Sequence, residues 1–182
     1  MIRLVVAAIA LIIMSVGFAH AQTVQKVEIY EFGIYTSSPE TQVGWTRQGR
    51  RKTVADSIDL VEATQTIVAR IGVQFDFRYK MSGKPESASV PVKIVMKFPP
   101  PGIFAAKGTV PFVLDEYAWF GTLDDGNFFT WPFEGRADLV PGIWTFEIWI
   151  KGKKQAEQKF NVILPPIANR QSPTLLPSGK VG

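Results

Sequence analysis

Apolar residues recur at every second position along most of this chain. Val73, Phe75, Phe77, Tyr79 and Met81 alternate with Gln74, Asp76, Arg78 and Lys80. Successive side chains point to opposite faces only in an extended strand, so this spacing describes a strand with one buried face. Gln74, Asp76, Arg78 and Lys80 are then expected on the water side. Val90, Val92, Ile94, Met96 and Phe98 repeat the pattern, with Lys93 and Lys97 pointing away. The link from Ser82 to Ser89 holds Gly83, Pro85 and three serines in all and no helical stretch, so these two strands are expected to be neighbours.

A second pair closes the chain. Trp144, Phe146, Ile148 and Ile150 line one face, and Ala156, Phe160, Val162 and Leu164 line the next. Lys151-Gly152-Lys153-Lys154 is a short turn between them, so a β-hairpin is expected. Weaker strand signals lie at Val27–Tyr35, Ala63–Ile71, Thr109–Phe120 and Phe128–Phe133. The stretch Asp56–Thr66 reads equally as strand or short helix. Strands at this density, without alternating helices, point to a sandwich or barrel and away from a doubly wound sheet.

The first 21 residues read as a cleaved signal peptide. Arg3 precedes an unbroken apolar run from Leu4 to Met14, and Ala19-His20-Ala21 fits the small-x-small pattern of a cleavage site before Gln22. The run is shorter than the about 20 apolar residues that span a bilayer. No integral membrane anchor is therefore expected after cleavage, and the protein is expected in the periplasm or outside the cell. A sandwich domain over residues 22–164 and a disordered Pro/Ser/Gly-rich tail over 165–182 complete the expected organisation.

The sequence has no Cys, and its one His, His20, lies in the leader. The exported chain therefore has no Ser-His-Asp or Cys-His nucleophilic set and no thiolate or imidazole metal site. No catalytic residue, no metal site and no cofactor is expected. An adjacent carboxylate pair such as Asp115 and Glu116 would point to opposite faces of its strand. The net charge of +4 is too mild to call for a nucleic-acid partner.

Three constellations remain. Asp124-Asp125-Gly126-Asn127 carries oxygen ligands at close spacing, but lacks the further acidic positions of a Ca²⁺ loop and reads first as a turn. Arg47, Arg50, Arg51 and Lys52 fall within six residues and form either a solvated loop or a site for anionic groups. Among five tryptophans, Trp144 shares the apolar register. Trp149 falls in the other register with Thr145 and Glu147, so it is either covered by a loop or exposed for binding. Trp45 stands beside the basic loop. Trp149, Trp45, Arg47, Arg50 and Arg51 are thus the candidate binding residues.

The segments Glu31–Tyr35, Thr66–Phe75, Val140–Ile148 and Lys159–Val162, in that order, resemble a bacterial family of exported domains known only as a domain of unknown function. The resemblance spans roughly residues 27 to 163, with Asp76 where that family has a small residue. It implies an immunoglobulin-like fold and no assigned activity. The combined expectation is an all-β, immunoglobulin-like antiparallel β-sandwich of about seven or eight strands. It would act as a non-catalytic binding or structural module on another protein of the cell envelope. The alternative is a module that binds a glycan or anionic envelope component through the basic loop and tryptophans.

Overall fold

The computed structural model describes residues 22–46, 51–104 and 110–166. The expected signal peptide, the end of the tail and the cations Arg47 and Arg50 lie outside these residues. The strands are β1 (Thr23–Ser37), β2 (Glu40–Trp45), β3 (Arg51–Ala55), β4 (Ile58–Glu62), β5 (Thr66–Val68), β6 (Gln74–Lys84), β7 (Ser89–Lys97), β8 (Ile103–Phe104), β9 (Pro111–Phe112), β10 (Leu114–Thr122), β11 (Gly126–Pro132), β12 (Gly142–Ile150) and β13 (Lys153–Ile163). A four-stranded sheet in the order β11-β6-β1-β4 faces a five-stranded sheet in the order β10-β7-β12-β13-β5. β2–β3 and β8–β9 form separate two-stranded ribbons. The sandwich therefore holds more strands than the seven or eight expected, because Ile58–Glu62 adds a short edge strand, while Thr66–Val68 is what forms of the expected Ala63–Ile71 strand.

The apolar registers read from the sequence are the inner faces. Phe75, Phe77, Tyr79 and Met81 on β6 meet Val90, Val92, Ile94 and Met96 on β7, Trp144, Phe146 and Ile148 on β12, and Phe160 and Val162 on β13, all buried. Trp144 is the centre of this core. Its ring lies edge-on to Phe98 at 4.8 Å and to Phe75 at 5.8 Å, the tilted arrangement that ring quadrupoles favour. Its indole N–H donates to the Val140 carbonyl at 2.8 Å, so the one polar atom of the side chain is satisfied.

The hairpin β12–β13 forms as expected, with a register shift at Ile148/Trp149. The expected pairing of the Val73–Met81 and Val90–Phe98 runs does not form. β6 lies in the four-stranded sheet and β7 in the five-stranded one, so the Ser82–Ser89 link crosses between layers. Two strands with one apolar face each can bury those faces side by side or across from one another, and the alternation is the same in both cases. The Asp124–Asn127 turn likewise joins β10 to β11 across the layers. Asn127 ties it together, donating to the Thr122 carbonyl at 2.9 Å and accepting from the Thr122 N–H at 2.8 Å.

A further correction concerns the polar register of β6. Gln74 and Asp76 are buried on the outer face, not solvated. Ser37 donates to Gln74 Oε1 at 3.0 Å, Gln74 Nε2 donates to Asp76 Oδ2 at 3.0 Å, and the Trp131 N–H reaches Asp76 Oδ1 at 3.3 Å. Burial pushes the Asp76 carboxyl up to about 7, the neighbouring Thr130 hydroxyl and the Gln74 and Trp131 donors oppose this only in part, and Glu40 raises it further.

Candidate functional site

The outer face of the five-stranded sheet has two regions of different chemistry. Its middle is a ladder of ion pairs. Glu147 on β12 accepts from Lys97 on β7 at 2.8 Å, from Lys154 on β13 at 3.4 Å and from the indole N–H of Trp149 at 3.0 Å. Lys154 and Lys159 also flank Glu157, at 2.9 and 3.1 Å. Burial alone would raise the Glu147 carboxyl, but the hydrogen bonds from Lys97, Trp149 and Lys154 outweigh it and hold the group below the usual carboxylate range.

Beyond the ladder, toward the β12–β13 turn, the face becomes apolar. Phe120 on the edge strand β10 pairs with Pro91 on β7, and two residues along Ala118 pairs with Lys93 and Lys93 with Trp149. These residues, with Trp119, Lys151 and Gly152, line a shallow groove of about 390 Å³. Phe120 keeps 69% of its surface in water. Trp149 is half-buried, with the Lys93 ammonium 5.9 Å from its ring centroid and Lys93 in turn paired to Glu116 at 2.9 Å. Lys151 closes the end of the groove by donating to the Gln22 carbonyl at 2.7 Å.

Trp149 therefore sits on the outer face, as its register required, and shares that face with a feature the sequence reading missed. The signal for Phe120 was present. Tyr117 and Trp119 occupy the inner register of β10, which sends Phe120 outward, but a strand apolar in both registers gave no reason to single it out.

Trp45, at the end of β2, is 60% exposed and faces Arg51 in register across the β2–β3 ribbon. Arg47 and Arg50 lie outside the described residues. The ribbon's Thr46, Thr53 and Val54 border a narrow slot of about 60 Å³ where the edge strands β10 and β11 part, with Tyr117, Phe129 and Trp131 on its walls. Trp45 and Trp149 thus belong to separate surfaces. Among the described residues no group of three or more His, Cys, Asp or Glu is placed to hold a metal ion.

Comparison with known proteins places this architecture. The family described as Domain of unknown function (DUF3859) matches residues 23–162. The chain belongs to this family. The DUF3859 match runs from the first residue of β1 to Val162 near the end of β13, so the outer face, the ladder and the groove all lie within it. An immunoglobulin-like protein of known crystal structure from Pseudomonas aeruginosa is similar to this DUF3859 chain, with a TM-score of 0.51 and 21% identity over 76% of this chain and 98% of that one. That likeness shows the fold, an immunoglobulin-like sandwich. No curated protein matches the chain.

Proposed function

We propose that this DUF3859 domain is an exported, non-catalytic binding module that takes an extended acidic segment of another envelope protein on the outer face of its five-stranded sheet. The observation that carries this reading is Phe120, an aromatic ring two-thirds in water beside Trp149 and Pro91. Contiguous apolar surface on a monomer marks a contact site, and Trp and aromatic anchors dominate such contacts. The rim selects the charge of the segment. Lys93 and Lys151 line the groove and Lys153 opens β13 just beyond it, while Glu116 pairs with Lys93 and Glu147 accepts from the Trp149 indole. Export rests on the Leu4–Met14 run and the Ala19-His20-Ala21 site. The absence of His and Cys downstream of the leader supports a non-catalytic role.

The test is selection of displayed peptides by the purified domain, with the binders measured by calorimetry. Selected peptides should carry an aromatic or long aliphatic residue flanked by Asp or Glu, and Phe120→Ser should weaken them at least tenfold. Peptides without acidic residues, or binding indifferent to Phe120→Ser, would refute the reading.

A second reading has its own observation. Trp45 is exposed opposite Arg51 on the ribbon, which suits a glycan or anionic envelope component held by the basic loop. Capture through that loop would fall steeply with salt.

A further inference from the structure

A third surface, on the four-stranded sheet, has a geometry that neither reading uses. β1 and β6 change register between Ile29 and Glu31, so Tyr30 is the extra residue of a β-bulge. A bulge re-aims a side chain, and bulges are common beside binding sites. Here it sends two consecutive residues to the outer face. Glu31 turns to Arg78 and forms an ion pair with its Nε at 3.1 Å. Tyr30 stands over the groove beyond, 53% exposed. Gly126 makes room for it, since a Cβ there would lie 3.2 Å from the Tyr30 hydroxyl.

That groove, of about 230 Å³, has Arg78 as its floor. Tyr30 and Phe128 are aromatic walls, and Asp56 and Ser57 form the far side. Arg78 is fixed in place. One of its terminal nitrogens donates to the Ile58 carbonyl, and its guanidinium lies 5.8 Å from the Tyr35 ring centroid. The Asp56-Ser57 loop is held through its backbone, both N–H groups donating to Ser38 Oγ at 3.0 and 3.1 Å, so its side-chain oxygens are not spent on holding it. Phe128 is braced edge-on by Trp119 at 6.4 Å.

The charges exclude an anion. The guanidinium is matched by Glu31, and Asp56 adds a further carboxylate to the rim. What remains is a surface with fixed donors on Arg78, acceptors on Asp56, hydroxyls on Ser57 and Tyr30, and two ring faces. That set suits a neutral ligand dense in hydroxyl groups with an apolar ring face. The volume is below that of the usual small-molecule pocket, so it admits one ring and not a buried chain. We propose that the groove between Tyr30 and Phe128 over Arg78 is a subsite for a single neutral hexopyranose ring of an envelope glycan. The site is on the sheet opposite the Trp149 groove and stands or falls independently of the protein-binding reading.

The test uses the purified domain, residues 22–182, on an array of neutral and acidic glycans, followed by saturation-transfer NMR on whatever binds. Neutral glycans should bind, binding should survive about 0.5 M sodium chloride, and both Tyr30→Ala and Asp56→Asn should weaken it tenfold or more. Both changes are at exposed positions, and the unfolding midpoint of each variant reports that the domain is intact. The proposal is overturned if no neutral glycan binds, or if binding is the same in both variants. It is equally overturned if only acidic glycans bind and salt releases them, which would move recognition to the basic loop.

Discussion

Gln74 donates its side-chain amide to Asp76 Oδ2 at 3.0 Å, and the acceptor carboxyl has no surface in water and no cation among its hydrogen-bond partners. A strand residue that the alternation assigns to the solvent is therefore an acid held near its own titration point at neutral pH, at about 7.

The sign of the consequence follows from linkage. The folded pKa lies above the unfolded value of 3.8, so the folded state holds the proton more tightly. Its stabilising effect is full below about pH 4 and is lost as pH rises toward 7, by up to about 4 kcal/mol. Asp76→Asn removes the charge and keeps an acceptor for the Trp131 N–H. Urea unfolding at pH 4.5 and pH 8 should show the variant more stable than the parent at pH 8, with a smaller difference between the two pH values. Equal pH dependence in both proteins would mean that Asp76 is solvated.

Glu147 should show the opposite sign. Its carboxylate is buried beneath Lys97, Lys154 and Trp149 and its pKa is lowered, so its contribution is present at neutral pH and lost as pH falls through the folded pKa. Glu147→Gln should destabilise the domain by about 1–3 kcal/mol at pH 7. The loss should shrink in acid, where the parent carboxylate is also neutral. A variant as stable as the parent at pH 7 would show the ladder to be ornamental.

Trp144 is the core's largest fully buried side chain. Trp144→Ala should lower stability by about 3–5 kcal/mol in denaturant titration. A loss under about 1 kcal/mol would place the indole outside the core.

The core was legible in the sequence because period-two alternation fixes which side chains share a face, and Phe75, Phe77, Trp144 and Phe146 all lie where it puts them. Alternation carries no information on which sheet a strand joins, so β6 and β7 could not be assigned to opposite layers from their own residues. It also assumes that the second face meets water. Gln74 and Asp76 break that assumption through hydrogen bonds from Ser37 and Trp131, partners distant in sequence. Trp149 was legible as the odd residue of its strand. Phe120 and Tyr30 were not, the first because both registers of β10 are apolar and the second because a single-residue bulge leaves no mark in composition.

Trp149 and the basic loop should separate by substitution. Binding of an acidic peptide at the Phe120–Trp149 groove should fall tenfold or more in Trp149→Ala and change little in an Arg47/Arg50/Arg51→Ser variant. Exposed charges further apart than about 10 Å are screened at 0.1 M salt, so the lysine rim of the groove and the basic loop both lose attraction for an acidic peptide, and the variants rather than ionic strength separate the two surfaces. Binding that survives Trp149→Ala and is lost in the loop variant would move the function to the ribbon.

Photo-crosslinking in the native host reads directly whether the outer face at Phe120 meets a protein of the cell envelope. A benzophenone side chain would replace Phe120, 69% exposed on β10, and in control strains Val61, 65% exposed on β4, or Val43, 56% exposed on β2. Docking at the groove should give a discrete protein adduct from position 120, reduced by Trp149→Ala, and none from 61 or 43. Adducts from 61 or 43 with position 120 silent would place the contact elsewhere and refute docking at Phe120.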